Sequence, residues 1–596
     1  MGGGGPGTKM NTVRPVGVHY QMFPLVKRSV GCGLLAGLSL MLGLTSCTRN
    51  FYRTSADREA YATIQKKAKQ VPNSDTHFTI EQTNTISLEG FPVANNVPDY
   101  LGDDSRGEVG ARVLKLEDAL GLAVRYSRAY QARKEQLYLS GLSLTLARHQ
   151  FTPIFSASGN GGISGQTENA VTYQIDSITG QIVPVLSDQL AEQQRVSANG
   201  SIGASWLIRD VGRITTAMTA DFLRFITGDP RVSSSSQLSA TFLRPLLRDS
   251  GFKQEAETLV QAERQMLYDL RDFTRYRKDF SVQIATSYYG VLGSRDAVRN
   301  SYLNLQSSRR NAERTRALAA EGRVTTADLG RLEQQELSTE STWIAAIRSY
   351  KQALDNFKIL LGLSVDTNVL LDDRELEALQ IRHPAIAVED SIKVALAARL
   401  DYLNTKDQFE DAVRRVDLAA DLLKPRVDLT ASASINSDPA RDSHLTLPEL
   451  QRYQWNAGLN IDPGLDRKAE RNSYRGALIN RNSAGRTVIQ REDEIKLQVR
   501  DSWRTLDQAK RSYEISEIGV RISERRVEEQ NLLAEFGRSR AQDLVDAQNA
   551  LIDAKNQRTQ ALVTHTIARL QFWNNMGILY IKDNGQWEET EHAKIQ

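Results

Sequence analysis

The sequence predicts a mainly α protein carrying a few β-strands of the membrane-barrel type, written as two copies of one motif. Three observations carry that fold class. The 596 residues include only 15 prolines, and runs of 70 pass without one, which points to a few very long helices. Two blocks of sequence recur in register. Between the helical stretches, short segments change to an alternating, period-two pattern.

The chain opens on export signals. Lys27 and Arg28 precede "SVGCGLLAGLSLMLGL" (29–44), an apolar run that suits a signal peptide and is short for a spanning helix. It ends in "LTSC", Leu44 to Cys47, which resembles the bacterial lipobox. That resemblance implies a signal peptide over 1–46 and lipidation of Cys47, the alternative being an ordinary signal peptide that contains a cysteine. Thr48 follows the cysteine, which under the sorting rule of that class favours the outer membrane. The Gly-rich leader looks like an early start, Met10 or Met22 being more natural beginnings. Cys32 and Cys47 are the only cysteines, so no disulfide framework or cysteine metal site is expected in the body of the protein. No apolar run after residue 50 approaches the length of a spanning helix, so a crossing of the membrane is expected to use a closed barrel.

"LEDALGLAVRYSRAYQARKEQ" (116–136) returns as "VEDSIKVALAARLDYLNTKDQ" (388–408), at a displacement of 272. Glu117, Asp118, Ala123, Tyr130, Ala147 and Pro153 recur as Glu389, Asp390, Ala395, Tyr402, Ala419 and Pro425. Further on the displacement is 215. Gly322, Arg323, Asp328, Leu329, Phe357 and Gly362 recur as Gly537, Arg538, Asp543, Leu544, Phe572 and Gly577. Two registers kept over such lengths mark a duplication. The first half therefore holds an insert after Pro153, as long as the difference between the two displacements.

Each half reads as helix, strands, long helix, glycine tip and returning helix. A single helix is expected over 117–150, closed by Pro153. "VDLTASASIN" (427–436) and "WNAGLNID" (455–462) alternate apolar with polar residues, as do "FSASGNGGIS" (155–164) and "LSATFL" (238–243). A further alternating pair, 196–208 and 214–222, is joined by "RDVG" and accounts for most of the insert. The pattern fits a half-buried soluble sheet or a barrel with lipid outside and water inside. The strands have no second sheet to cover them, which favours the barrel. One chain supplies too few to close a useful pore, so a homo-oligomer is expected. Long helices are expected over about 252–321 and 466–536, each spanning roughly 100 Å and needing lateral packing along its length.

Lipobox, duplicated halves and glycine tips together resemble the outer-membrane efflux protein family, the TolC-like channel-tunnels, over about residues 112–580. In that family a glycine turn is followed six residues on by Asp. Here Gly322 leads to Asp328 and Gly537 to Asp543, and "DLVDA" supplies Asp543, Asp546 and Ala547. Glu321 and Phe536 stand where the family has Val before the glycine. The resemblance implies a homotrimer in the outer membrane of a Gram-negative-type bacterium, lipid-anchored. Its β-barrel would hold about four strands per protomer and continue into an α-helical barrel in the periplasm. The extra hairpin either enlarges the barrel or lies outside it.

The implied role is a passive exit duct for efflux or type I secretion, fed by an inner-membrane pump through a periplasmic adaptor. Implied domains are a lipid-anchored strap over 47–111, a first repeat over 112–363, an equatorial linker over 364–388, a second repeat over 389–580 and a tail over 581–596. Gly322, Arg323, Gly537, Arg538 and Arg540 would meet the adaptor, although arginines at a helix end are also explained by solvation. Asp543 and Asp546 share a helix face. Under threefold symmetry they would form carboxylate rings that favour cations. The implied periplasmic gate comprises these two with Arg538, Arg331 and Asp328: Arg538 or Arg540 would pair with the aspartates and hold the aperture shut until the adaptor binds, and Arg331 would bridge to Asp546 of a neighbour.

A net charge of +3 from 75 basic and 72 acidic residues, well mixed, leaves no nucleic-acid footprint. Seven scattered histidines and the lack of nucleophile or phosphate-loop motifs argue against an enzyme, a cofactor or a metal site. The rival reading is a structural or adhesive lipoprotein whose helices form a solid coiled coil.

Overall fold

In a computed structural model of the chain, the described residues are 2, 49–75, 77–81, 87–95, 98–175, 178, 180–227, 232–438, 441, 445–536 and 538–588. Cys47 and Gly537 lie outside them. The chain divides into two compact units, 1–59 and 60–596. In the first, residues 49–59 form the start of helix α1 (Arg49–Ala68), with Arg53 3.8 Å from Asp57.

In the second unit a 3-10 segment, Asp99–Glu108, leads to β1 (Arg112–Leu114), α2 (Leu116–Tyr126) and α3 (Arg128–His149). Four strands follow: β2 (Ile154–Ile175), β3 (Ile182–Ile208), β4 (Gly212–Phe225) and β5 (Val232–Pro245). Then come α4 (Lys253–Ala320), α5 (Thr326–Leu361), β6 (Val369–Leu371) and α6 (Arg374–Glu377). The second half repeats the series as α7 (Val388–Ala398), α8 (Leu400–Asp421), β7 (Arg426–Asn436), β8 (Tyr453–Asp462), α9 (Lys468–Glu535) and α10 (Ala541–Asn575). A small hairpin, β9 (Tyr580–Ile581) and β10 (Trp587–Glu588), ends the described chain. No described helix is long and apolar enough to cross a membrane.

The long helices α4 and α9 are 68 residues each, about 100 Å at 1.5 Å per residue. Their first residues, Lys253 and Lys468, are related by the same displacement as the glycine tips. Several of the apolar residues that recur in the sequence are core residues of the fold. Ala123, Tyr130 and Phe357 lie in one apolar cluster and Ala395, Tyr402 and Phe572 in another. Burying an aromatic ring in such a cluster contributes about 2–3 kcal/mol, so drift at these positions is costly.

The single helix expected over 117–150 is two helices. The chain is extended at Ser127 (ψ 123°), between α2 and α3, and at Arg399 (ψ 118°), between α7 and α8. The cause lies in the returning helices, whose ends abut the breaks. Gly362, just past α5, sits so close that a Cβ there would stand 2.0 Å from the Tyr126 carbonyl oxygen. Gly577, just past α10, faces the Ala398 carbonyl in the same way, a Cβ meeting it at 3.2 Å. Both glycines have positive φ, 86° and 77°, which favours glycine.

The six strands form one antiparallel sheet in the order β2-β3-β4-β5-β7-β8. This sheet therefore holds six strands per chain, the about four expected plus the extra hairpin. The inserted hairpin β3–β4 is inside the sheet, Ile202 pairing with Met218 and Met218 with Leu238. Its turn holds Asp210 at φ 61°, within the "RDVG" joint. The β2–β3 ribbon also continues past the rest of the sheet, from Gly165 to Ile175 on β2, about 35 Å of extended chain.

Candidate functional site

At the first tip, Gly322 has φ 69°. The Gly322 amide donates to the Ala319 carbonyl (3.0 Å) and the Arg323 amide to Leu318 (2.9 Å), a glycine-terminated helix end. Thr325 then caps α5. Its Oγ1 accepts from the Asp328 amide (3.2 Å) and donates to the Asp328 carboxylate (2.7 Å), so Asp328 is committed to its own turn. Arg323 lies 3.6 Å from Glu321, both exposed.

The second tip closes similarly, the Arg538 amide donating to the Leu533 carbonyl (2.8 Å). Thr325 has become Arg540 here, which offers no side-chain cap. Asp543 and Asp546 lie on the first turns of α10, both exposed, while Leu544 and Ala547 are buried beside them. Within one chain, among the described residues, no ion pair joins Arg331, Arg538 or Arg540 to either aspartate. The contact between α4 and α5 is charged: Arg316 meets Glu333 (3.0 Å) and Glu336 (2.9 Å), and Arg309 meets Glu340 (3.2 Å). Hydrogen bonds to Glu333 and Glu336 push the Arg316 guanidinium upward from its ordinary pKa. Between α9 and α10 the described ion pair is Lys555–Glu524, at 3.8 Å.

At the other end of these helices, the sheet keeps one apolar face across all six strands. Residues opposite each other in a ladder share a face. Ala157–Ile202–Met218–Leu238–Ile435–Tyr453 forms one such row, and Phe242–Ala431–Ala457 lies in another. The opposite face runs Ser158–Ser201–Thr219–Gln237–Asn436 and, nearer the helices, Thr241–Ser432–Asn456. The apolar face is bare: Phe155, Ile202, Trp455 and Ile461 are 79, 66, 71 and 63% exposed. Water on both sides of such a sheet would be unfavourable; lipid on one side removes the conflict.

No family model matches the chain, and no curated protein matches it in sequence. Solved structures do. A membrane protein from Pseudomonas aeruginosa is similar at a TM-score of 0.58 and 15% identity, over 83% of this chain and 99% of that one. The outer membrane protein VceC from Vibrio cholerae is similar at 0.54 and 13%, over 78% and 96%. The Campylobacter jejuni CmeC outer membrane channel is similar at 0.53 and 12%, over 85% and 94%. The chain has the fold of these membrane proteins, an outer-membrane channel among them.

Two sites at the middle of that fold carry no signal in the sequence. Arg399, 1% exposed, donates to both oxygens of Asp401 (3.0 and 2.7 Å) and to Gln498 (2.7 Å). Arg275 from α4 and Arg491 from α9 also pair with Asp401, so one carboxylate ties the two halves together. Burial would raise the Asp401 carboxyl, but the Arg399 hydrogen bonds and the three guanidinium charges hold it well below the usual carboxylate range.

The second site contrasts Tyr350 with His565, its counterpart in the second half. Tyr350 donates to Glu108 (2.8 Å), which also pairs with the buried Arg295 (3.0 Å). His565 is completely buried, and neither ring nitrogen has a hydrogen-bond partner among the described residues. Burial pushes its pKa down to about 4, helped by the charges of Arg569, His383 and Lys510. A motif scan misses both sites because most of the groups that meet in them are distant in sequence.

Proposed function

We propose that the protein is the outer-membrane channel-tunnel of a tripartite efflux or type I secretion system. It acts as a homotrimer and a passive exit duct, with no catalytic step of its own. Substrates reach it from an inner-membrane pump through a periplasmic adaptor that meets the tips at Gly322, Arg323, Gly537, Arg538 and Arg540. The observation that carries this reading is a single sheet with one apolar and one polar face, set at the end of helical hairpins about 100 Å long. A half-exposed sheet of this kind has two free edges and needs further copies to close. The helices, charged throughout and too polar for lipid, extend the duct into the periplasm.

Lipid anchoring at Cys47 completes the placement in the outer membrane. Palmitate label is expected on the wild type and not on Cys47→Ala; label on both would remove the anchor. The duct itself is tested by reconstituting the purified protein in a planar bilayer. Stepwise conductance from an oligomer that survives detergent and dissociates on boiling is expected. A well-folded oligomer with no conductance would leave the structural lipoprotein as the better account.

A further inference from the structure

We infer that the two free edges of the sheet close on neighbouring copies in a register set by the internal duplication, with Asn456 of one copy opposite Asn160 of the next. Three copies then build an eighteen-stranded wall that includes the inserted hairpin. This rests on the trimeric duct proposed above for the number of copies, but the seam itself follows from strand geometry.

Every neighbouring pair in the sheet is antiparallel. Six is even, so β8 of one copy and β2 of the next also run in opposite directions, and no edge is left unpaired. The junction between the two halves inside one chain is the β5–β7 ladder, in which Phe242, Thr241, Ala240 and Leu238 face Ala431, Ser432, Ala433 and Ile435. In the duplication β7 corresponds to β2 at a displacement of 272. Likewise β5 corresponds to β8 at 215, the displacement that relates the starts of α4 and α9.

Carrying the ladder across gives Ala457 opposite Gly159, Asn456 opposite Asn160, Trp455 opposite Gly161 and Tyr453 opposite Ile163. Nearer the helices, Leu459 meets Ala157 and Asn460 meets Ser156.

Three features of this chain fit that register and no input to it required them. Apolar residues meet apolar residues on one face and polar meet polar on the other, whereas a slip by one residue would reverse every pair. The large exposed Trp455 falls beside Gly161, which has no side chain to obstruct it and only the Ser197 carbonyl oxygen (3.9 Å) near where its Cβ would be. The two Asn side chains face each other on the water side, where each can donate and accept.

The inserted strands obey the same face rule, so they are membrane wall and not an external flap. Barrel diameter grows roughly in proportion to strand number, so eighteen strands enclose a lumen about half again as wide as twelve. Selection by size is then left to the helical end of the duct.

The test places cysteines at Asn160→Cys and Asn456→Cys in one chain and oxidises outer-membrane fractions. Shifted pairs, Ser158→Cys or Gly162→Cys with Asn456→Cys, check the register. Thr241→Cys with Ser432→Cys is the equivalent pair within one chain and reports that the sheet has formed. Single-cysteine variants account for any contribution of Cys47, and only material with the wild-type oligomer band on unboiled gels is scored.

A covalent trimer from the Asn160/Asn456 pair is expected, with little from the shifted pairs, because a two-residue slip moves Cβ atoms to about 7 Å, beyond disulfide reach. Stronger cross-linking in a shifted pair overturns the register. Monomers alone, with the Thr241/Ser432 disulfide formed, overturn the seam. Conductance without cross-links leaves the duct standing and removes this seam, and cross-linked trimers without conductance do the reverse.

Discussion

The two helical hairpins derive from one motif, yet they are held differently. Where the first has Arg316 facing Glu333 and Glu336, the second has Asn531, Gln548 and Leu551. Where the first pairs Arg309 with Glu340, the second pairs Glu524 with Lys555, the charges exchanged and the contact longer. The first tip caps its returning helix with Thr325 and occupies Asp328 in doing so. The second has Arg540 there and leaves Asp543 exposed. Among the described residues α9 buries no side chain past Val520, well short of its end at Glu535, whereas α4 still buries Ala312, closer to its own end at Ala320. The first hairpin is the more firmly held of the two near its tip.

The largest expected effect sets Gly362 against Gly577. A methyl at Gly362 meets the Tyr126 carbonyl at 2.0 Å, a backbone atom that cannot turn aside. Gly362→Ala should therefore cost more than about 4 kcal/mol and yield little oligomer. Gly577→Ala, with contacts at 3.2 Å and the positive-φ penalty, should cost about 1–3 kcal/mol. Comparable oligomer yields from the two variants would contradict the closer abutment of the first half.

Next in size is the pair of helix breaks. Arg399→Ala strips Asp401 of its bidentate partner and should cost about 3–5 kcal/mol. Ser127→Ala, at the equivalent break, removes a side chain that caps nothing and should stay within about 1 kcal/mol. Heat dissociation of the extracted oligomer reads both.

His565 makes the second half acid-sensitive where Tyr350 does not. Its folded pKa of about 4 lies below the ordinary value near 6.5. Below pH 6.5 an unfolded chain takes up a proton that the folded chain refuses, so stability falls as pH drops from 6.5 to about 4, by about 1–3 kcal/mol. His565→Phe should flatten the melting profile over that window and leave the Asp401 loss, which begins only below about pH 4. An unchanged profile would mean that His565 finds a partner in the assembly.

The smallest effect is local. Hydrogen exchange at the last turns of α9 should outpace that at the end of α4, and Arg316→Ala should narrow the gap by about fivefold, as expected of an exposed pair. Equal exchange in the wild type would remove the contrast between the two hairpins.

Long periodic elements were legible from residues alone. The expected bounds of 252–321 and 466–536 lie close to those of the helices found, because glycine tips and strand patterning bracket them. The breaks at Ser127 and Arg399 were not legible. Nothing in their helix propensity interrupts the pattern; the interruption comes from Gly362 and Gly577, which arrive from far along the chain. Whether the inserted hairpin adds to the wall stayed open in the sequence, because its strands alternate alike inside a sheet or outside it, and only pairing separates the two. Of the candidate site, Asp328 and Asp543 look identical in the glycine spacing, and the cap at Thr325 distinguishes them.

Whether the second tip forms the constriction of a duct is tested most directly by single-channel recording of the wild type beside Asp543→Ala/Asp546→Ala. A small, cation-selective conductance that loses its selectivity in the double variant is the predicted result. A conductance and selectivity unchanged by the substitutions would contradict it and move the constriction elsewhere in the tunnel.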